Sequence, residues 1–367
     1  MTIAATGTAV IRPSRKRRIV KIVAWLVGLA LFWLVLQFLG VDVRGWLEQL
    51  WDDLSSIPTG YLIGALVVQT GSTFFAGLSY YGILSAAYPG EVSLWPIIAA
   101  YAVGVAMNGF LPANLGTLVT LLMFVAVIPS CTFAGSVAGY VVQKIFFTVA
   151  GTFVYLYMFL SVPGSFDLNF NNVTSHPGVA GLIVAGGIVT LVILGRIFWR
   201  QVKKLWERAK QGGAILSQPG RYMSRVFLPS FLSWTCGRIV TAIFLAAFAL
   251  PVTFQSVMWV TGSGSLANVT SFTPGAVGVT QATNALALKT CCHVAKKDAV
   301  AYSTGQQLIV TGWNQILAIV LLVVVFGWAG GKQLVGDSYV QAKEKSAEMK
   351  AEHKRKRLAR KAKRQSS

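Results

Sequence analysis

Long apolar stretches, separated by short polar or charged segments, run through almost the whole chain. Their lengths, more than any alternation, carry the structural signal. The run Ile19–Leu39 is span length, about 20 residues, and has no small-residue cleavage site, so it predicts an uncleaved first membrane helix. After it, Trp46, Leu47, Leu50, Trp51 and Leu54 recur at helical spacing within Val41–Ile57, which predicts an amphipathic helix lying at the interface. Further spans are predicted at Gly60–Ala87, Thr132–Leu160, Val179–Phe198, Val226–Leu250 and Ala299–Trp328.

Two apolar segments are interrupted in the same way at matching places. The first break runs from Asn108 through Pro112 and Asn114 to Gly116, and the second from Asn268 through Pro274 to Gly278. Both contain Pro-x-x-x-Gly with small polar residues around it. Unpaired backbone groups cost several kcal/mol each in hydrocarbon, so a broken helix at membrane depth survives only against protein or a watery cavity. Corresponding breaks in two halves point to a transporter's binding site. The arms flanking them, Trp95–Phe110, Gly116–Ile128, Gln255–Phe272 and Gly278–Leu288, are 11–18 residues long. That favours re-entrant hairpins over full crossings, with ten full spans as the alternative reading.

The halves match beyond the breaks. Val137, Ala138, Gln143, Lys144 and Thr148 recur as Val300, Ala301, Gln306, Gln307 and Thr311. Gln143 follows Gly116 by 27 residues, and Gln306 follows Gly278 by 28. The first span of one half runs inward and that of the other outward, so the repeat is inverted. The expected fold is thus an all-α polytopic membrane protein with six full spans and two re-entrant hairpins. Its parts are a basic segment 1–18, a membrane domain 19–328 and a basic tail 329–367. Within the membrane domain, repeat one spans 60–160, repeat two spans 226–328, and a basic linker occupies 200–225.

Charge agrees with that organisation. The 367 residues are 54% hydrophobic and 12% charged, against about 25% charged in an ordinary soluble chain. Of the 32 Lys and Arg, 26 fall in residues 12–21, 196–225 and 332–364. The positive-inside rule makes those blocks, and both termini, cytoplasmic. They are expected to meet anionic lipid at that face of the membrane, and no nucleic-acid motif accompanies them. The four cysteines imply no disulfide framework, and the contiguous Cys291, Cys292 and His293 cannot readily surround one metal ion. No metal or cofactor is expected.

All twelve acidic residues lie in loops, tails or, for Asp298, at a span edge. That disfavours a carboxylate proton relay and an intramembrane hydrolase, so the chain is not expected to be an enzyme. Two cations do lie deep, Lys144 and Arg238. Each costs at least about 2.5 kcal/mol at the bilayer centre, which makes each a site candidate. With no buried acid, the natural counter-ion is an anion from outside the protein, and a phosphate suits both. The competing reading is a snorkelling or carbonyl-capped cation. The breaks add half-helix N-termini with unpaired N–H groups. Asn108, Asn114, Asn268, Gln143, Gln281, Asn284, Gln306 and Gln307 add neutral amides.

At these breaks, and in the spacing to Gln143-Lys144 and Gln306-Gln307, residues 15–328 resemble the lysylphosphatidylglycerol synthase transmembrane family of flippase-like proteins. The resemblance implies movement of a phospholipid or polyprenyl-linked lipid between leaflets. In its best-known members that lipid is aminoacylated phosphatidylglycerol, made by a fused synthase. The tail here is too short for such a domain, so a separate lipid-modifying enzyme is the implied partner. Members commonly carry Glu and Arg after the first Gly, where this chain has Thr117 and Thr120. They carry Glu-Arg where it has Gln143-Lys144, and Glu where it has Gln281. Amides in place of acids argue against a cationic headgroup and for an anionic lipid. The other readings are a scaffold acting through its basic tail and a membrane glycosyltransferase using polyprenyl phosphates.

Overall fold

The computed structural model describes residues 57–111, 115–161, 214–270 and 273–365, together with Glu48, Asp52 and Ser55. Contacts divide the chain after Ser56. In the first unit Glu48, Asp52 and Ser55 are helical, and the Ser55 hydroxyl donates to the Asp52 carbonyl at 3.0 Å. The predicted first span, most of Val41–Ile57, the loop Pro163–Pro177, the span Val179–Phe198, linker residues 200–213, and Pro112 and Asn114 lie outside the described residues.

From Thr59 onward every described element is helical. The helices are α1 (Thr59–Ala87), α2 (Leu94–Asn108), α3 (Leu115–Val127), α4 (Phe133–Leu160), α5 (Pro219–Ala247), α6 (Phe254–Thr270), α7 (Val279–Cys292) and α8 (Lys296–Gln365). Four of them, α1, α4, α5 and α8, are long and apolar enough to cross a membrane. The chain is a multi-pass membrane protein.

The helices joined by the two breaks are shorter. They have 15 and 13 residues at the first break, and 17 and 14 at the second. At about 1.5 Å per residue each reaches roughly 20–25 Å, short of the ~30 Å hydrocarbon core. The second break closes through a 3-10 turn, Pro274–Ala276, with Gly275 (φ 60°), Ala276 (φ 56°) and Gly278 (φ 85°) in left-handed conformations. Glycine takes that conformation without the Cβ clash that Ala276 must bear.

α1 and α5 run antiparallel along a seam of small residues. The Ser72 hydroxyl donates to the Ser233 carbonyl (3.1 Å), and the Ser233 hydroxyl donates back to the Ser72 carbonyl (2.9 Å). Ser72 precedes Gly116 by 44 residues and Ser233 precedes Gly278 by 45, so two serines at nearly matching distances from the breaks bond reciprocally. Ser79 and Ser230 pair beside them at 2.9 Å. Further along, Gly82 lies on the Arg225 carbonyl. Pro229 has no N–H to bond that carbonyl, and a π-helical turn, Met223–Phe227, absorbs the irregularity. Small residues let helix backbones approach closely where lipid supplies no hydrophobic drive.

Each half builds its own apolar core. Leu84, Ile97, Met123 and Phe124 anchor the first, and Phe244, Leu245, Leu288 and Tyr302 the second. The halves also interlock, because α8 packs on α2 and α3 while α4 packs on α6. α8 turns sharply at Gly327 (φ 70°, ψ 161°), close to the predicted end of the last span, and continues as a helical tail. One feature of the cysteines was not anticipated: Cys291 and Cys292 are joined by a disulfide at the end of α7. It closes a ring between adjacent residues and ties no distant segments together.

Candidate functional site

The second break forms one wall of a cavity of about 360 Å³. α5 contributes Gly237, Arg238, Val240 and Thr241, and α6 contributes Thr261, Gly264 and Ser265. The break gives Gly275, α7 gives Thr280 and Asn284, and α8 gives Ser303, Gln306, Gln307 and Thr311. Gln69 reaches in from α1 of the other half. The lining is about as polar as it is apolar although it sits among helices of membrane-spanning hydropathy.

Arg238 is the one charged residue among those lining it. Its guanidinium stacks 5.2 Å from the Trp234 ring centroid, and its Nε is buried without a hydrogen-bond partner among the described residues. The hydroxyls of Tyr302 and Thr235 are likewise buried and unpartnered there. An unpaired buried donor on a cation is costly, which marks Arg238 as the candidate binding residue of the cavity it lines.

A chain of amides pins the break to its neighbours. The Gly278 N–H donates to Gln281 Oε1 (2.7 Å), Gln281 Nε2 donates to Gln307 Oε1 (2.7 Å), and Gln307 Nε2 donates to the Gly275 carbonyl. Asn284 is occupied at both ends, accepting from the Ser263 hydroxyl (2.6 Å) and donating to the Ser303 hydroxyl (2.8 Å). Gln281, Gln307 and Asn284 therefore hold the architecture of the site, while Arg238 and Gln306 are the predicted residues with polar groups open to its interior.

The first break is tighter. Asn108 Oδ1 accepts the Thr117 N–H and its Nδ2 donates to the Thr117 hydroxyl, both at 3.2 Å. A Cβ on Gly116 would overlap the Gly104 carbonyl, and one on Gly104 would overlap the Thr120 hydroxyl. The sequence suggested that both half-helices begin with free N–H groups at Gly116 and Gly278. Instead α3 begins at Leu115, the Thr117 N–H is taken by Asn108, and the Gly278 N–H is taken by Gln281. Side-chain amides cap both breaks, which leaves less free donor capacity for an anion than the sequence implied.

The two breaks meet. A Cβ on Gly275 would lie 2.6 Å from the Gly109 carbonyl, and one on Gly109 would lie 2.7 Å from the Thr311 methyl. Lys144 and Gln143 are not brought to this place. Gln143 is buried on α4, whereas Lys144 is exposed on the same helix, its Nζ 5.0 Å from the Tyr140 ring centroid and 5.3 Å from that of Phe147. Asn268 falls at the end of α6, and its side chain and that of Pro274 lie outside the described residues.

Sequence reasoning did not single out Gln69, Thr241, Thr261, Thr280 or Ser303. Gln69 had a readable signal, a lone amide midway along an otherwise apolar helix. The Thr and Ser residues had none, because membrane helices commonly absorb hydroxyls on their own carbonyls.

With this geometry in view, comparison with known families is decisive. The sequence profile described as the lysylphosphatidylglycerol synthase TM region matches residues 21–319. The chain belongs to this family. The match covers every cavity-lining residue from Gln69 to Thr311, so the family's membrane region includes both breaks and the cavity at the second. No curated protein and no solved structure gives a significant match. Membership ties the protein to lipid metabolism or transport.

Proposed function

We propose that the protein is a flippase-like transporter that moves an anionic phospholipid or a polyprenyl-phosphate-linked lipid between the leaflets of a bacterial inner membrane. In this reading six full spans and two re-entrant hairpins form an inverted repeat, with both termini cytoplasmic, and no bond is made or broken. A separate enzyme supplies any lipid modification, and the basic segments rest on anionic lipid at the cytoplasmic face.

The observation that carries the reading is Arg238. Its Nε is buried without a partner among the described residues, it lines a cavity walled in part by the second break, and no Asp or Glu lines that cavity among the described residues. A cation so placed is matched by a phosphate that arrives and leaves, and Arg suits the two-oxygen edge of a phosphodiester. The short helices and the contact of the two break tips supply an occluding element between cavity and bilayer face. Lys144, outside the cavity, is assigned to attracting anionic lipid toward the protein.

Reconstitution tests this. Vesicles carrying acyl-labelled phosphatidylglycerol should lose label protection from an outside quencher faster when the protein is present. Arg238→Gln should reduce that rate at least about tenfold, the equivalent of roughly 1.4 kcal/mol, with unchanged elution and helicity. Lys144→Gln should reduce it by less than about threefold. Equal rates for wild type and Arg238→Gln would sink the assignment.

A further inference from the structure

The cavity's charge and hydrogen-bonding inventory narrows the cargo. Resting on the transport reading above, we propose that this site selects a monoanionic phosphodiester lipid whose headgroup is uncharged and bears hydroxyls.

Charge comes first. Arg238 supplies one positive charge, and no Asp or Glu lines the cavity among the described residues. The acids outside the described residues, Asp42, Asp53, Asp167 and Glu207, all lie outside the predicted spans. A phosphodiester with a neutral headgroup brings one negative charge, which Arg238 balances. An ethanolamine or aminoacyl headgroup would add a cation beside Arg238 with no carboxylate to receive it, and burying an unpaired charge is costly. A phosphomonoester or diphosphate would bring more negative charge than one guanidinium offsets.

Hydrogen bonding comes second. Thr241, Thr261 and Thr280 spend their hydroxyl protons on their own helices, donating to the carbonyls of Gly237 (3.2 Å), Val257 (2.7 Å) and Ala276 (3.0 Å). Gln69 Nε2 donates to Asn314 (3.0 Å), which leaves Gln69 Oε1 as its open group. The wall therefore offers these oxygen lone pairs together with the amide of Gln306 and the hydroxyls of Ser303 and Thr311, and hydroxyls are uncharged groups that both donate to and accept from such a wall. Size agrees. At about 30 Å³ per water-sized group the cavity holds on the order of twelve, enough for a phosphate and a three-carbon diol.

The test uses the full chain in detergent and short-chain lipids as probes. Dihexanoyl phosphatidylglycerol should bind at least about tenfold more tightly than dihexanoyl phosphatidylethanolamine, dihexanoyl phosphatidic acid or lysyl-phosphatidylglycerol. Thr261→Val should lower the phosphatidylglycerol affinity about threefold and leave that for phosphatidylethanolamine unchanged. Gln306→Glu, which sets a carboxylate beside Arg238, should invert the preference in favour of the ammonium-bearing lipids. Binding of phosphatidylethanolamine or lysyl-phosphatidylglycerol as tight as that of phosphatidylglycerol overturns the proposal. Water-soluble glycerophosphoglycerol binding as tightly as the lipid overturns a lipid as the source of the phosphodiester.

The transport reading fails separately. If labelled phosphatidylglycerol and phosphatidylethanolamine both cross at equal, Arg238-dependent rates, transport stands and the selectivity is overturned. If neither crosses while the binding preference holds, the selectivity stands and transport falls.

Discussion

Arg238 and Lys144 entered on equal terms as deep cations, and packing separates them. On α4 the buried positions Gly135, Gly139, Val142, Gln143 and Phe146 form one helical stripe, and Lys144 lies a single 100° step off it. Depth along a span was legible from residue counting; the direction in which the side chain points was not, because lipid-facing and protein-facing surfaces are both apolar. Arg238 was legible because it is a cation without an acid, and that absence is visible in the sequence alone. The amides were legible as candidates, yet their partnership with each other was not. Gln307 bridges Gln281 and the Gly275 carbonyl, so Gln307→Leu strands two polar groups at the break. It should cost about 2 kcal/mol, taking the low end of 1–3 for each of two part-buried groups, and lower the melting temperature in detergent. An unchanged melting temperature would show that the break does not rest on this bridge.

At the scale of elements, the breaks and helix lengths were readable with little error. Predicted Gly60–Ala87 and Thr132–Leu160 are found as Thr59–Ala87 and Phe133–Leu160, since span ends are set by sharp hydropathy steps that need no tertiary knowledge. The start of α5 was less legible. The hydropathy places the start of this span at Val226, but the π-helical turn lets the helix run back to Pro219, and the gap at Arg225 is covered by Gly82 of a distant segment. The tip contact between breaks was invisible for the same reason, being made by residues more than a hundred positions apart. Gly275 combines φ 60° with the Gly109 carbonyl where a Cβ would go. Gly275→Ala should therefore destabilise by about 1–3 kcal/mol through overpacking and strain. Thermal unfolding in detergent measures this, and transport should fall with it if the tips form the closed gate. At the first break Gly116→Ala should cost a similar amount, about 1–3 kcal/mol, by driving α3 off Gly104, and a melting temperature equal to wild type would contradict that packing.

For the whole molecule, the tail is the open element, because a composition rich in Lys, Glu and Ala suits either a helix extension or a solvated arm. It continues α8 as a helix past Gly327, and its first part packs back on the first repeat. Leu334 and Val335 join the core of α2 and α3, Ala342 is fully buried there, and Lys345 Nζ lies 3.4 Å from the Phe133 ring centroid. The tail thus begins as a structural strap and ends as a run of charge, with Lys350, Lys354, Arg355, Lys356, Arg357, Arg360, Lys361, Lys363 and Arg364 in its last stretch. These two parts make opposite demands. Deleting 329–367 removes Leu334, Val335 and Ala342 from the core of α2 and α3, and at about 1.5–3 kcal/mol per large buried side chain that should destabilise this core. Deleting only 349–367 removes the basic run and leaves the strap. If transport runs through the cavity, the shorter deletion should keep the rate in proteoliposomes within about twofold of wild type and weaken only salt-sensitive attraction to anionic vesicles, worth about 1 kcal/mol per basic residue near the surface. If the protein is instead a scaffold acting through its tail, the shorter deletion abolishes function while Arg238→Gln leaves it intact. Measuring both variants side by side separates the readings, because each predicts loss where the other predicts none.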